Sequence, residues 1–347
     1  MRRDGLSGAI CTQTTDVENE ASGFPSYDRW VVKMTIPFPA ELNRALIAAG
    51  TPAPVPPPDV RLDGSARPRA RMALMLPTDN HVHTRWSWDT AASSSMESAC
   101  ARAVELGLPG VAFTEHLDFT VWDSEDPGTD IRVGHRPHVQ PLDVAGYSAD
   151  VARCRESFPG LRILSGIEAG EPHRFPAGVA ATLAEGTFDR VLGSLHAIES
   201  EGALEFVDGS LFDRLDPHDL MRRYFTEMLS LVSGSEVFGI LAHCDYPRRY
   251  WPAERAGQYH ETDFEEEYRA VFAALAASDR ALEINTRSPL ASAELVRWWR
   301  DEGGAAVSFG SDAHDPYSVG HRFGLAVDIV ESAGFRPGRD RHDFWRR

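Results

Sequence analysis

The chain is almost without lysine. Of its 35 basic residues only Lys33 is a lysine; every other one is arginine. Schiff-base chemistry and a Walker-type phosphate loop both require lysine, so neither has a candidate beyond residue 33. Cysteine is scarce too. Cys11, Cys100, Cys154 and Cys244 lie far apart, with no C-x-x-C pair. That spacing argues against a disulfide framework and makes a reducing cytoplasm the expected location. No uninterrupted apolar run is long enough to cross a bilayer, and "MRRDGLSGAICTQTTDVENE" lacks the apolar core of a secretory signal, so no membrane partner is expected. Positive charge is also in deficit. A formal net charge of −17 disfavours extended binding to nucleic acid or to an anionic membrane. It still allows a small anionic substrate at a locally positive site.

What is present reads as an ordinary soluble protein: 347 residues, 42% hydrophobic and 25% charged. Residues 1–73 differ from the rest. "TPAPVPPPDV" is proline-rich and "RLDGSARPRARM" is polar and arginine-rich, as in linkers. This part is expected to be an N-terminal extension, loosely packed or partly disordered, ahead of one domain over 74–347.

From residue 74 a rhythm appears. Short apolar runs, rich in β-branched residues, alternate with amphipathic segments. The runs are "MALML" (72–76), "GVAF" (110–113), "LRILSGIE" (161–168), "FDRVLGSLH" (188–196), "VFGILAH" (237–243), "ALEIN" (281–285) and "AAVSFGS" (305–311). Helical spacing marks 94–107, which begins on serine and ends on glycine, and also 216–232, 263–278 and 292–303. Seven strand-then-helix units predict a parallel sheet. With no glycine-rich nucleotide turn after the first strand, a distorted seven-stranded TIM-like β/α barrel is favoured over an open doubly wound sheet.

Polar residues fall where those strands end. His81 and His83 follow the first, His116 the second, Glu168 the third, His196 the fourth and His243 the fifth; Asp312 and His314 follow the seventh. In a β/α barrel the carboxyl ends of the strands build the active site. Residues two apart on an extended strand share a face, which pairs His81 with His83 and Asp312 with His314. Imidazoles with carboxylates suit zinc, iron or manganese rather than calcium. With Asp89, six histidines and three carboxylates exceed the needs of one tetrahedral ion. Two or three divalent ions are expected, with Glu168 bridging. Taken alone, any one of these histidines would read as a hydrogen-bonded core residue; the set carries the inference.

At these residues the sequence resembles the polymerase-and-histidinol-phosphatase (PHP) family, in its stand-alone histidinol-phosphatase branch. The resemblance runs from about Asp79 to Gly334. It is carried by "DNHVHTRWSWD", "GLPGVAFTEHLDF", "SGIEAGE", "FDRVLGSLHAIE", "ILAHCDYPRRY", "LEINTR" and "FGSDAHDPYSVG". It implies a seven-stranded barrel with three metals. His81, His83, Glu168 and Asp312 would hold the first, Glu168 with His196 and His243 the second, and Asp89, His116 and His314 the third. It also implies hydrolysis of a small phosphate monoester, L-histidinol phosphate, in histidine biosynthesis. The sequence departs from the branch at bulky Trp86 and Trp88, and at Arg287 directly after "EINT".

Metal ions would make the site locally positive and lower the pKa of bound water from 15.7 toward about 7, so attack by a metal-bound hydroxide is expected. Arg248, Arg249 and Arg287 are the candidate phosphate ligands, because a guanidinium fork matches phosphate oxygens. Asp245 is a candidate general acid or partner of a ligand histidine, and Glu115 is similarly ambiguous. Three other readings remain open. A nucleotide or oligonucleotide phosphate could stack on Trp86, Trp88 or Trp122. A metal-dependent amidohydrolase is disfavoured by the lack of lysine over 74–347. A non-catalytic metal scaffold is disfavoured by the full set of nine ligands.

Overall fold

The computed structural model describes residues 75–121, 141–287 and 289–347, all within the second of two compact units, Arg71–Arg347. The expected extension over 1–73 and Trp122 lie outside the described residues.

Seven parallel strands close on themselves. β1 (Asp79–Val82), β2 (Gly110–Leu117), β3 (Arg162–Gly170) and β4 (Arg190–Ser194) pair in sequence order. After a separate antiparallel hairpin of β5 (Ala197–Ser200) and β6 (Ala203–Phe206), the barrel continues with β7 (Ile240–Leu241), β8 (Ala281–Asn285) and β9 (Ala306–Gly310). Asp79 then pairs with Phe309, which closes β9 onto β1. A last strand, β10 (Trp345–Arg346), runs antiparallel beside β9. The fold is the expected closed β/α barrel.

The helices are α1 (Met96–Leu106), α2 (Val144–Ser157), α3 (Pro176–Glu185), α4 (Gly209–Arg214), α5 (Pro217–Gly234), α6 (Ala253–Ala256), α7 (Glu265–Ala277), α8 (Ala293–Asp301) and α9 (Phe323–Ser332). α1 shows why the sequence forms them here. Ser95 Oγ accepts from Ser98 N–H at 3.2 Å, and Gly107, at φ 71°, ends the helix in the left-handed conformation open to glycine. Met96, Ala99, Cys100 and Ala103 lie on the one buried face. Between helices and barrel the core includes Tyr147, Tyr224, Tyr268 and Trp299, all fully buried. Tyr147 also ties two strands together: its hydroxyl donates to Phe113 O at 2.7 Å and accepts from Gly166 N–H at 2.7 Å.

The first strand departs from expectation. The described first strand is the polar stretch Asp79–Val82, buried along its whole length; of "MALML", residues 72–74 lie outside the described residues, and Met75 and Leu76 are not in a strand. A polar strand can be buried because its groups are satisfied. Asp79 alone accepts from the backbone N–H groups of Ser311 and Gly320, both at 2.9 Å. β2 likewise runs on through His116, which places that side chain inside the strand instead of after it. The β2–β3 register then sets His116 directly opposite Glu168.

Candidate metal centre

Glu168 is fully buried and surrounded by imidazoles. Its Oε1 accepts from Ser194 Oγ at 2.6 Å and lies 2.7 Å from His243 Nε2 and 3.4 Å from His196 Nε2. Its Oε2 lies 3.0 Å from His116 Nδ1, 3.3 Å from His81 Nε2 and 3.4 Å from His83 Nε2. None of the last three makes an aligned hydrogen bond to Oε2. Burial works against the charge, yet His81, His196 and His116 outweigh it and hold the carboxyl well below its ordinary range.

The outer nitrogens of three of these rings, His81, His83 and His196, already have acceptors, whereas His243 Nδ1 has no hydrogen-bond partner among the described residues. His81 Nδ1 is 2.6 Å from Glu283 Oε1, and His196 Nδ1 is 3.1 Å from Asp118 Oδ1. Ser87 Oγ donates to Glu115 Oε2 at 2.6 Å, so its 3.0 Å contact with His83 Nδ1 is one in which the imidazole donates. These contacts fix the tautomers and turn the Nε2 lone pairs inward. His81 Nε2 and His83 Nε2 then sit only 2.9 Å apart. Two facing lone pairs repel unless a cation or a proton lies between them. Burial opposes the charged form of His81, but Glu168, Glu283 and Asp312 raise its pKa well above the ordinary value. That pull acts equally on a divalent cation, and the donor set fits one.

The remaining donors adjoin this core. His314 Nε2 and His116 Nε2 lie 2.8 and 3.5 Å from Asp89 Oδ2. Asp312 Oδ1 is 3.5 Å from His314 Nδ1 and 3.7 Å from His83 Nε2. Its backbone is left-handed, at φ 52°, a conformation that aspartate tolerates better than most residues, and its N–H donates to His81 O at 2.8 Å. Four triplets among the described residues offer donor atoms within 4.8 Å of one another: His81–His83–Asp312, His81–Glu168–His243, His83–His116–His314 and His116–Asp118–His196. All nine sequence-predicted metal ligands are therefore gathered in one place.

The predicted arginines divide. Arg249 and Arg287 line a cavity of about 180 Å³ over the cluster, and both pair with Asp312, Arg287 through a 3.1 Å contact. Arg248 is turned away. It pairs with Glu261 at 2.8 Å and Asp245 at 3.3 Å, and lies over the Tyr259 ring. Asp245 is held by Arg248 and the Tyr268 hydroxyl, and does not line the cavity; among the described residues no imidazole of the cluster hydrogen-bonds to it. Glu115 accepts from Thr84 and Ser87 behind His83. Trp88 lines the cavity and donates to Asp118 Oδ2 at 2.9 Å, whereas Trp86 donates to Asp150 outside it.

Sequence reasoning missed two acids. Asp118 follows His116 at the same i, i+2 spacing that paired His81 with His83, so the signal was present. Glu283, on β8, was hidden by the view that this strand brings nothing to the cluster. It bonds His81 and also accepts from His243 N–H at 2.7 Å. The lining residues Phe206, Val207 and Asp208 follow from a hairpin that periodicity did not reveal.

The PHP domain family model matches residues 79–287. Histidinol-phosphatase of Lactococcus lactis subsp. lactis is 27% identical over 273 residues, covering 75% of this chain and 93% of that protein. A probable histidinol-phosphatase of Deinococcus radiodurans is 29% identical over 279 residues, covering 76% and 96%. Among solved structures, histidinol phosphate phosphatase of L. lactis in complex with zinc, L-histidinol and phosphate superposes with a TM-score of 0.62 at 24% identity, covering 75% of this chain and 94% of that one. A putative histidinol phosphatase of Listeria monocytogenes gives a TM-score of 0.60 at 17% identity, covering 72% and 99%. The chain belongs to the PHP domain family.

Proposed function

We propose that this protein is a metal-dependent phosphatase that hydrolyses L-histidinol phosphate to L-histidinol and phosphate, a step of histidine biosynthesis in the cytoplasm. The observation that carries the reading is the cluster itself: eight donor residues gathered with Glu168, directly beneath a cavity bordered by Arg249 and Arg287. The names of the curated relatives supply the substrate.

Two or three divalent ions, zinc, manganese or iron, would be held by these residues. His81, His83, Glu168 and Asp312 would hold one, His196 and His243 with Glu168 a second, and Asp89, His116 and His314 a third. When bound, such ions supply Lewis-acid stabilisation of phosphate oxygens and make water nucleophilic near neutrality.

The chain's own groups do the rest. Arg249 and Arg287 remain cationic, since Asp312 outweighs the effect of burial on both, and their forks suit a phosphate dianion. Asp312 holds the two guanidinium groups at the cavity before substrate arrives, which lowers the entropic cost of orienting the ester. Glu283, Asp118 and Ser87 keep His81, His196 and His83, respectively, in one tautomer. Trp88, Phe206, Tyr246 and Tyr250 wall the cavity and restrict water. Its volume is small beside the ~300–1,000 Å³ of drug-sized ligand sites, which favours a compact ester over a nucleotide.

The test is phosphate release from L-histidinol phosphate against nucleoside monophosphates, using protein reconstituted with each metal. Preference for the amino-alcohol ester is the expected result. Turnover of nucleotides alone would overturn the substrate assignment.

A further inference from the structure

The cavity holds five carboxylates, and four of them are committed. Asp89, Asp118 and Glu168 face imidazoles, and Asp312 faces two arginines. The fifth is Asp208, which follows the β5–β6 hairpin and lines the cavity beside Phe206 and Val207. Its Oδ1 accepts from Ser210 N–H at 2.8 Å, Ser210 Oγ at 2.6 Å and Leu211 N–H at 3.3 Å. Those three bonds pin the side chain. No described group donates to Oδ2, and no described arginine or histidine is ion-paired with the carboxylate. Arg214, which senses its charge, is bonded to Glu205 instead.

The hairpin that carries Asp208 is itself anchored at the cluster. Val207 N–H donates to His196 O at 2.8 Å, and the Phe206 ring stacks 6.2 Å from that of His196 at an interplanar angle of 10°. A fixed carboxylate acceptor therefore stands in the same small cavity as the cluster residues. A carboxylate there repels a second anionic group on a substrate and attracts a cationic one.

We infer that Asp208 Oδ2 receives an ammonium group on the alcohol portion of the substrate, so that the enzyme selects phosphate esters of amino alcohols. The inference rests on the phosphatase reading above and adds the residue that discriminates. Once phosphate is held by the arginines and the cluster, the ammonium of a short amino alcohol is bound by Asp208 through a charge-assisted hydrogen bond, roughly twice as strong as a neutral one.

The experiment compares two esters that differ only in this group: L-histidinol phosphate, and the same molecule with hydrogen in place of the amino group. Both are assayed with the metal-loaded wild type, with Asp208→Asn and with Asp208→Ala. Asparagine keeps an oxygen to cap Ser210 and Leu211 while removing the charge; alanine removes both. The wild type should prefer the amino ester, and the ratio of the two kcat/KM values should fall about 10- to 100-fold in both variants, the range of a lost charged hydrogen bond. Equal losses on the two esters would show Asp208 to be structural only and overturn the inference while leaving the phosphatase reading intact. Hydrolysis of neither ester by the wild type would overturn that reading, and the inference with it.

Discussion

Two parts of the cavity are made in different ways. The cluster residues His81, His83, Glu168, His196, His243 and Asp312 are all at most 3% exposed, and each sits in or within two residues of a barrel strand. Their positions follow from sheet register, and neighbouring acids hold the rings. Trp88, Phe206, Asp208, Tyr246, Tyr250 and Arg287 line the more open part and stand on loops, a hairpin and a short helical turn. Strands fix the chemistry that many substrates share; loops carry the features that tell one substrate from another.

Glu168 is the position most sensitive to substitution. Replacing Glu168 with glutamine removes the charge that five imidazoles face, and kcat/KM for phosphate release should fall by roughly 10³-fold or more. Far-UV circular dichroism would show the barrel still folded. A loss below tenfold would mean that the cluster is not where catalysis is organised. Next comes Glu283→Gln, one layer out. Metal affinity should weaken about 10- to 100-fold, with KM little changed once the protein is saturated with metal, because Glu283 orients His81 and does not touch substrate. Titration with a competing chelator measures this.

Arg287→Met acts on the open part and should raise KM about tenfold with a smaller effect on kcat. A fall in kcat at constant KM would instead give this arginine a role confined to the transition state. The smallest effect lies outside the cavity. Glu227 accepts from Arg174 at 2.6 Å and contacts His173 at 2.7 Å. Burial opposes its ionisation, but these partners lower its pKa from 4.5 to about 2. Its stabilising effect is complete above pH 4.5 and lost as pH falls through about 2. The Tm difference between wild type and Glu227→Gln should therefore be present at neutral pH and shrink over that interval, while phosphate release at neutral pH is unaffected. A constant difference would contradict the assignment.

The barrel was legible because seven apolar runs alternate with helix-like segments, and the cluster because histidines and acids recur where those runs stop. Strand boundaries were less so. Asp79–Val82 reads as polar, and only the closed barrel shows that Ser311 and Gly320 satisfy Asp79. Asp118 obeyed a rule already in use for its neighbours and was still missed. Glu283 could not be placed without knowing that only β9 separates β8 from β1, which brings its carboxylate to His81. Arg248 and Arg249 are adjacent in sequence, yet only the local helical turn decides that one faces Glu261 and the other Asp312. The hairpin bearing Asp208 is four residues per strand, too short for periodicity to register.

If the convergent donors bind cations on which hydrolysis depends, metal content and phosphate release must rise and fall together. Purified protein, stripped by chelator and reloaded with zinc, manganese or iron, can be analysed for bound metal and for phosphate release in the same samples. Two or three ions per chain are expected, with activity that returns in proportion to loading and loss of both in Asp312→Ala. Phosphate release that persists in folded, fully stripped protein would contradict that dependence.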